Sequence, residues 1–428
     1  MDTLIIALGI ILALAFNFVN GLNDAANSIA TIIATKSLSP PIKAVALATF
    51  SNLLGPLIFT TAIAATIGKG IVDSGFLTTH ILLAAMFGAV IWVFTTSMLG
   101  IPISSSHALI GGLLGAGIAG AGVGAILWPE WDLVKTVFFA MAAGGFLCTL
   151  LYIAVALLRK EEWRGGKAPL AFLVGVTVII PALIIGGFIK ITGILAVVIF
   201  IVISPMLGLI SSFVIGVVIM YLCSAKNPPS RLNAMFRPLT IAAGSFQAIG
   251  HGANDAQNAM GVITAMLVAG GILSEFSVPI WVILASCGAI SLGTLLGGWR
   301  VVDKMANKIT KIRPYQGFAA SMAGGGGVLS LMTSLGVPVS TTHAMSGGAI
   351  MGAGATRGYS SAVRWGGIVR EIVVAWIITI CNSGCFLGGI CFVCLGYSLI
   401  SYFYPCLSIH FVFDRRYPLS GSSWRICT

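Results

Sequence analysis

The sequence predicts an all-α polytopic membrane protein of about 12 crossings, built as two inverted-topology repeats with discontinuous helices and re-entrant, hairpin-like tips. Three observations predict it. The 428 residues are 58% hydrophobic and 8% charged, with a mean hydropathy of +1.04, whereas soluble domains are about one-quarter charged. Two polar motifs recur, in the same order, in each half of the chain. Lysine and arginine alternate between loops that are rich in them and loops that are poor.

Apolar runs of about 17–25 residues read as spans. They fill nearly the whole length, so no sizeable soluble domain fits between them. The first run, residues 4–18, leads into "GLNDAANS", residues 21–28. It lacks a basic leading segment and carries Asp2, so it reads as a retained helix with the motif at its end and not as a signal peptide. The matching stretch in the second half is "GANDAQNA", residues 252–259. The second pair is "LGIPISSSHALIGGLLGAGIA", residues 99–119, and "LGVPVSTTHAMSGGAIMGAGA", residues 335–355. The separations agree, 82 residues from Asn23 to Ser105 and 87 from Asn254 to Thr341. The matches include Asn, Asp, Pro, Ser, Thr and His, which low-complexity membrane sequence rarely supplies, so they indicate an internal repeat.

The loops set the topology. Segments 36–43, 159–167, 224–238, 300–313 and 356–370 hold 17 of the 23 Lys and Arg, while 67–77, 127–135, 189–192 and 271–278 hold three. Placing the basic set inside puts the N-terminus outside, provided that the Pro-Ser-rich segments 99–126 and 336–355 also cross. The second repeat then enters from the opposite side to the first. The organisation is a first inverted repeat over 1–158, a connector with two extra spans over 159–238, a second inverted repeat over 239–398 and an atypical tail over 399–428. Because the net charge of +11 lies in short loops, it reads as orientation and not as a nucleic-acid surface. A multi-pass protein of a plasma or inner membrane follows. The lack of a long cytoplasmic insert favours a prokaryotic source. The nine cysteines are irregularly spaced, with half a metal motif at most ("CFVC"), and read as small apolar fillers.

Inverted repeats mark many secondary transporters, with substrate and ions near the midplane at broken helices. Only two acids, Asp24 and Asp255, fall deep within expected spans. An ionisable group there costs about 2.5–3.5 kcal/mol on insertion scales, so its default reading is functional. Asn23, Asp24 and Asn27 supply hard oxygens close together, as do Asn254, Asp255 and Asn258, and such ligands suit a small hard cation. One negative charge per cluster favours a monovalent ion over calcium. Sodium is the natural candidate, and a proton on each aspartate competes with it. In "PISSSH" and "PVSTTH", residues 102–107 and 338–343, a proline and consecutive hydroxyls precede Gly-rich apolar sequence. That pattern reads as an unwound stretch entering a half-helix. Helix N-termini bind anions through free N–H groups and partial positive charge, and Ser104, Ser105, Ser106, Ser340, Thr341 and Thr342 add hydroxyl donors. A tetrahedral oxyanion would fit between two such tips. With no Lys or Arg deep in a span, co-bound cations must help to neutralise it. His107 and His343 either meet the substrate or tether a helix. His251 precedes only the second motif, and Gly111, Gly112, Gly347 and Gly348 allow close helix approach.

These residues resemble the inorganic phosphate transporter (PiT) family. Its signature Gly-x-Asn-Asp-x-x-Asn stands at 21–27 and 252–258, and its Pro-x-Ser-[Ser/Thr]-[Ser/Thr]-His elements stand at 102–107 and 338–343. The four elements, in order, cover about residues 1 to 380. The resemblance implies uptake of inorganic phosphate coupled to sodium or, in some members, to protons. It also implies cation binding at the Asp-Asn elements, phosphate binding at the hydroxyl tips, a homodimer in the lipid bilayer and no organic cofactor. A proton-coupled phosphate or sulfate permease of the same fold is the alternative. An enzyme is disfavoured, because Ser105 and His107 have no nucleophile elbow or third triad member. After Ile380 the sequence departs from a normal final span with a sudden excess of Cys, Ser and aromatics.

Overall fold

A computed structural model describes residues 2–158, 168–191, 193–224, 228–358 and 362–385. The basic loop 159–167, the "CFVC" pair and the tail 399–428 lie outside the described residues. Those residues are helical with no strand, apart from two isolated bridges, Val72 with Ile126 and Thr310 with Val363.

The first half runs through α1 (Asp2–Ala34), α2 (Pro41–Ile58), α3 (Ala62–Lys69), α4 (Thr79–Met98), α5 (Ser105–Ala121) and α6 (Trp131–Leu158). Next come α7 (Ala168–Ile185) and α8 (Gly193–Ile219). The second half comprises α9 (Pro229–Ala269), α10 (Ile280–Leu296), α11 (Trp299–Asp303), α12 (Pro314–Ser321), α13 (Ser330–Ser334), α14 (Ile350–Ala355) and α15 (Arg370–Cys385). Several of its helices pass into π-helical turns, Met322–Leu329 and His343–Ala349 among them. Sequence punctuation accounts for the boundaries. Proline stands at the first turn of α2, α9 and α12, where its missing N–H costs no hydrogen bond. Thr78 caps α4 by accepting from the Ile81 N–H at 3.3 Å.

Among the described residues, seven helices are long and apolar enough to cross a membrane, or eight if α10 and the segment after it, bent by 65° at Gly297 and Gly298, make one span. The expected count of about 12 needs further crossings by short, broken or polar segments. α9 is the clearest case. Its 41 residues reach about 60 Å at 1.5 Å per residue, but Asn254, Asp255, Gln257 and Asn258 interrupt its apolar length. The outer faces of the long helices are apolar. On α6, Phe138, Phe139, Phe146 and Leu150 are all exposed, a surface suited to lipid.

α1 and α9 pack against each other, and each also packs on the second helix of the other half, α1 on α10 and α9 on α2. Glycine makes those approaches possible. A Cβ on Gly21 would lie 2.1 Å from the Ile290 carbonyl oxygen, and one on Gly252 would lie 2.2 Å from that of Asn52. Gly111, Gly112 and Gly348 likewise face backbone of neighbouring helices, while the side of Gly347 lies outside the described residues.

The helix breaks differ from expectation in one respect. The first Asn-Asp motif was expected at a helix end, yet α1 and α9 continue unbroken through both motifs. The polar side chains bond to other helices and leave the backbone ladder intact. Breaks occur instead at the start of the hydroxyl motifs, where residues 101–104 and 337–340 lie outside any helix. Gly100 (φ +67°) and Gly336 (φ +69°) turn the chain into them, a conformation that glycine adopts without steric cost.

Candidate functional site

Each hydroxyl tip is organised by its first serine. Ser104 caps α5 by accepting from the His107 N–H at 3.3 Å, and Ser340 accepts from the His343 N–H at 3.2 Å. The next two hydroxyls on each tip therefore project from a first helical turn toward the middles of α1 and α9. All six are buried, as are both aspartates and the four motif asparagines.

The two halves exchange partners across this centre. Asp24 accepts from Ser105 of the first tip (Oγ to Oδ2, 3.1 Å) and from Thr342 of the second (Oγ1 to Oδ1, 2.9 Å). Asp255 accepts from Thr341 at 3.3 Å and from Asn254 at 2.7 Å. Asn27 donates to Thr341 and Thr342 at 3.2 and 3.0 Å, and Asn258 donates to Ser106 at 2.9 Å. Asn23 points away to Ser97 at 2.8 Å, and Asn254 also reaches the Val339 carbonyl at 2.9 Å. The sequence suggested two clusters with one acid each. In the fold, ligand atoms of Asp24, Asp255 and His251 lie within 4.8 Å of one another, so the acids share one centre.

The chemistry of that centre fits a cation. The Oδ1 atoms of Asn17, Asn20, Asn23, Asn27 and Asn254 are buried and make no hydrogen bond. Asn20 and Asn254 touch Asp255, and Asn27 touches the hydroxyls that donate to both carboxylates. Unpaired amide oxygens on such residues suit a hard, oxygen-seeking ion. Among the described residues no Lys or Arg is buried, so the protein itself supplies no fixed positive side chain there.

His107 and His343 pack on each other, with ring centroids 4.7 Å apart and planes at 67°, and His343 also stacks on Trp376 of α15 at 4.0 Å. The rings thus join the two tips to each other and to a third helix, a tethering geometry.

Several residues of the centre escape a reading by motif. Asn17 and Asn20 lie one turn before the first motif on the same face of α1, and Asn17 sits inside the apolar run 4–18. Their spacing of three and four residues with Asp24 and Asn27 was the available signal. Asn20 reaches Asp255 at 3.5 Å, and Asn17 donates to the Ala256 carbonyl at 3.2 Å. Gln257 bridges the break between α2 and α3, accepting from the Ala64 N–H at 3.0 Å and donating to the Thr60 carbonyl at 2.8 Å. No local pattern could assign it that partner.

A family model, the phosphate transporter family (PHO4), matches residues 20–386. The chain belongs to this family. The transporter is 40% identical over 371 residues to a probable low-affinity inorganic phosphate transporter of Rhizobium meliloti (strain 1021), covering 86% of this chain and 90% of the relative. It is 33% identical over 385 residues to a protein of the same description from Bacillus subtilis (strain 168), covering 89% and 95%. Among solved structures, "The sodium-dependent phosphate transporter" matches 89% of this chain and 96% of its own, with a TM-score of 0.59 and 23% identity. That likeness supports the fold. The relatives are transporters and not enzymes, and the apolar helices place this one in a membrane.

Proposed function

We propose that the transporter imports inorganic phosphate together with sodium, by alternating access around the shared centre, with Asp24 and Asp255 at the cation sites and the two hydroxyl tips holding the anion. One observation carries this reading: Ser105, Thr341 and Thr342 donate to the same carboxylates that would bind the cation. Sodium arriving at the carboxylates takes over their charge and releases those hydroxyls to turn toward phosphate. Anion and cation sites are then coupled through exchanged hydrogen bonds, and linkage requires phosphate to tighten sodium binding by the same factor. The orphaned asparagine oxygens provide further sodium ligands. An anion without cations at this depth would be too costly to bind. The structural relative is a sodium-dependent transporter, which supports sodium over protons.

The proposed architecture is a first inverted repeat over 1–158, a connector over 159–238 and a second inverted repeat over 239–398, giving about 12 crossings of a bacterial cell membrane. The matched breaks before each tip and the reciprocal packing of α1 on α10 and α9 on α2 support it. A homodimer is the assembly proposed.

Removal of the Ser105 and Thr341 hydroxyls (Ser105→Ala with Thr341→Val) tests the exchange. Each hydrogen bond to a charged group contributes about 1.5–3 kcal/mol, so phosphate affinity measured by calorimetry in saturating sodium falls by up to a few kcal/mol. Sodium binding without phosphate holds or strengthens, because the cation-free carboxylates have lost two donors. Weakening of sodium binding as large as that of phosphate would refute the exchange.

The orientation is tested with single cysteines in a cysteine-depleted background. Residues placed in 300–313 resist an impermeant thiol reagent in intact cells, and those in 67–77 and 127–135 react. Labelling of 300–313 from outside excludes the inverted arrangement.

A further inference from the structure

His251 and Asn20 occupy matching places, each directly before a motif glycine. Both reach one oxygen of Asp255, Asn20 Nδ2 at 3.5 Å and His251 Nε2 at 3.3 Å from Oδ2. The protonation pattern of the ring follows from its other side. Thr294 Oγ1 gives its hydrogen to the Ile290 carbonyl at 3.0 Å, so toward Asn52 it accepts, and Asn52 Nδ2 lies 2.9 Å away. Asn52 therefore turns Oδ1 to His251 Nδ1 at 3.1 Å, and that contact requires the ring hydrogen on Nδ1. When the ring is neutral, it presents the bare lone pair of Nε2 to the Asp255 carboxylate 3.3 Å away. Nε2 is fully buried and makes no hydrogen bond. Two acceptors so close repel each other unless positive charge stands beside both.

We propose that Asp24, Asp255 and His251 form a site for one divalent ion of borderline softness, of the zinc and cobalt class, which competes with sodium and blocks phosphate uptake. Oxygen ligands alone would favour sodium, magnesium or calcium, and an imidazole nitrogen shifts the preference toward zinc-like ions. The three ligand atoms already lie within 4.8 Å of one another. Tetrahedral bonds of about 2.1 Å need them about 3.4 Å apart, so closure by at most about 1.4 Å completes the set. The ring is held as metal-binding imidazoles are, by donating its other N–H to a fixed acceptor. That acceptor is rigid, because Gly252 and Gly55 bring the backbones of α2 and α9 into contact beside it. Charge also balances, since one divalent ion neutralises two carboxylates as two sodium ions would. The proposal rests on the reading of Asp24 and Asp255 as cation ligands, but its primary test needs no transport.

Purified transporter in detergent is titrated with zinc by calorimetry and with cobalt by visible absorption, at low and high sodium. One equivalent binds, sodium weakens it, and His251→Asn lowers zinc affinity by about tenfold or more and alters the cobalt bands. In proteoliposomes zinc inhibits phosphate uptake by the wild type. Absence of zinc binding, or equal affinity in wild type and variant, overturns the site; a protonated ring paired with Asp255 then provides the positive charge. His251→Gln serves as a second variant. Should neither variant fold, zinc-edge absorption spectroscopy on the wild type decides: a nitrogen ligand among oxygens supports the site, and oxygens alone overturn it. Loss of sodium dependence in uptake would strike the transport reading and leave the zinc affinity unchanged.

Discussion

Asp255→Asn, and separately Asp24→Asn, abolishes sodium-driven phosphate uptake into proteoliposomes while the protein still inserts and purifies. The substitution preserves shape and one acceptor oxygen at each position. At 255 that oxygen serves either Asn254 or the Thr341 and Asn20 pair, and at 24 either Ser105 or Thr342. What is lost is one of the two buried negative charges at a centre where, among the described residues, no Lys or Arg is buried. Removing one partner of a buried charge pair costs about 3–5 kcal/mol, and each 1.4 kcal/mol is about a factor of ten in affinity. Cation affinity should therefore fall by about two to three and a half orders of magnitude, with sodium-dependent phosphate affinity falling alongside it through linkage. Because Asp24 and Asp255 share one centre, neither can stand in for the other. Near-normal sodium-driven uptake by both variants would remove the assignment.

Gly252→Val is expected to be the most damaging substitution that touches no charged group. A Cβ at this position meets the carbonyl oxygen, Cα and carbonyl carbon of Asn52 at 2.2, 2.7 and 2.8 Å. These are backbone atoms, so no side-chain rotation relieves the clash, and α2 and α9 must move apart. Overpacking usually costs about 1–3 kcal/mol, and more where backbone has to shift. The same displacement breaks the 3.1 Å contact between His251 and Asn52, so the cation centre loosens along with the packing. Thermal unfolding in detergent reads the effect. Gly252→Ala already lowers the midpoint and Gly252→Val lowers it further or prevents purification. Gly288→Ala is the control, because a Cβ there meets nothing within 4 Å and alanine in place of a mid-helix glycine favours the helix by about 0.5–1 kcal/mol. A Gly252→Val protein melting with the wild type would show that α2 and α9 do not pack as described.

Sequence by itself determined the properties that depend on composition and near neighbours. The apolar lengths require a membrane. Both hydroxyl motifs announce a helix start, because a glycine able to take positive φ, a proline and a capping serine lie within a few residues of one another. Family membership was legible for the same reason, since the four signature elements are contiguous stretches. Asp24 and Asp255 stood out because a carboxylate is costly in an apolar span wherever that span packs.

Tertiary structure alone decided which of these groups meet. Nothing local says that Thr342 donates to Asp24 across the two halves, or that the two aspartates share a centre with His251. The first Asn-Asp motif looked like a helix end, yet α1 runs through it as α9 runs through the second, because their amides and carboxylates find partners on other helices and do not compete for their own backbone. Asn17 was hidden by the apolar residues around it, although its turn of α1 faces the same centre as Asp24. Helical periodicity reports neighbours three and four residues away. The partners that make this site lie tens to hundreds of residues apart, and only glycine-lined contacts between helices from opposite halves bring them within hydrogen-bond reach.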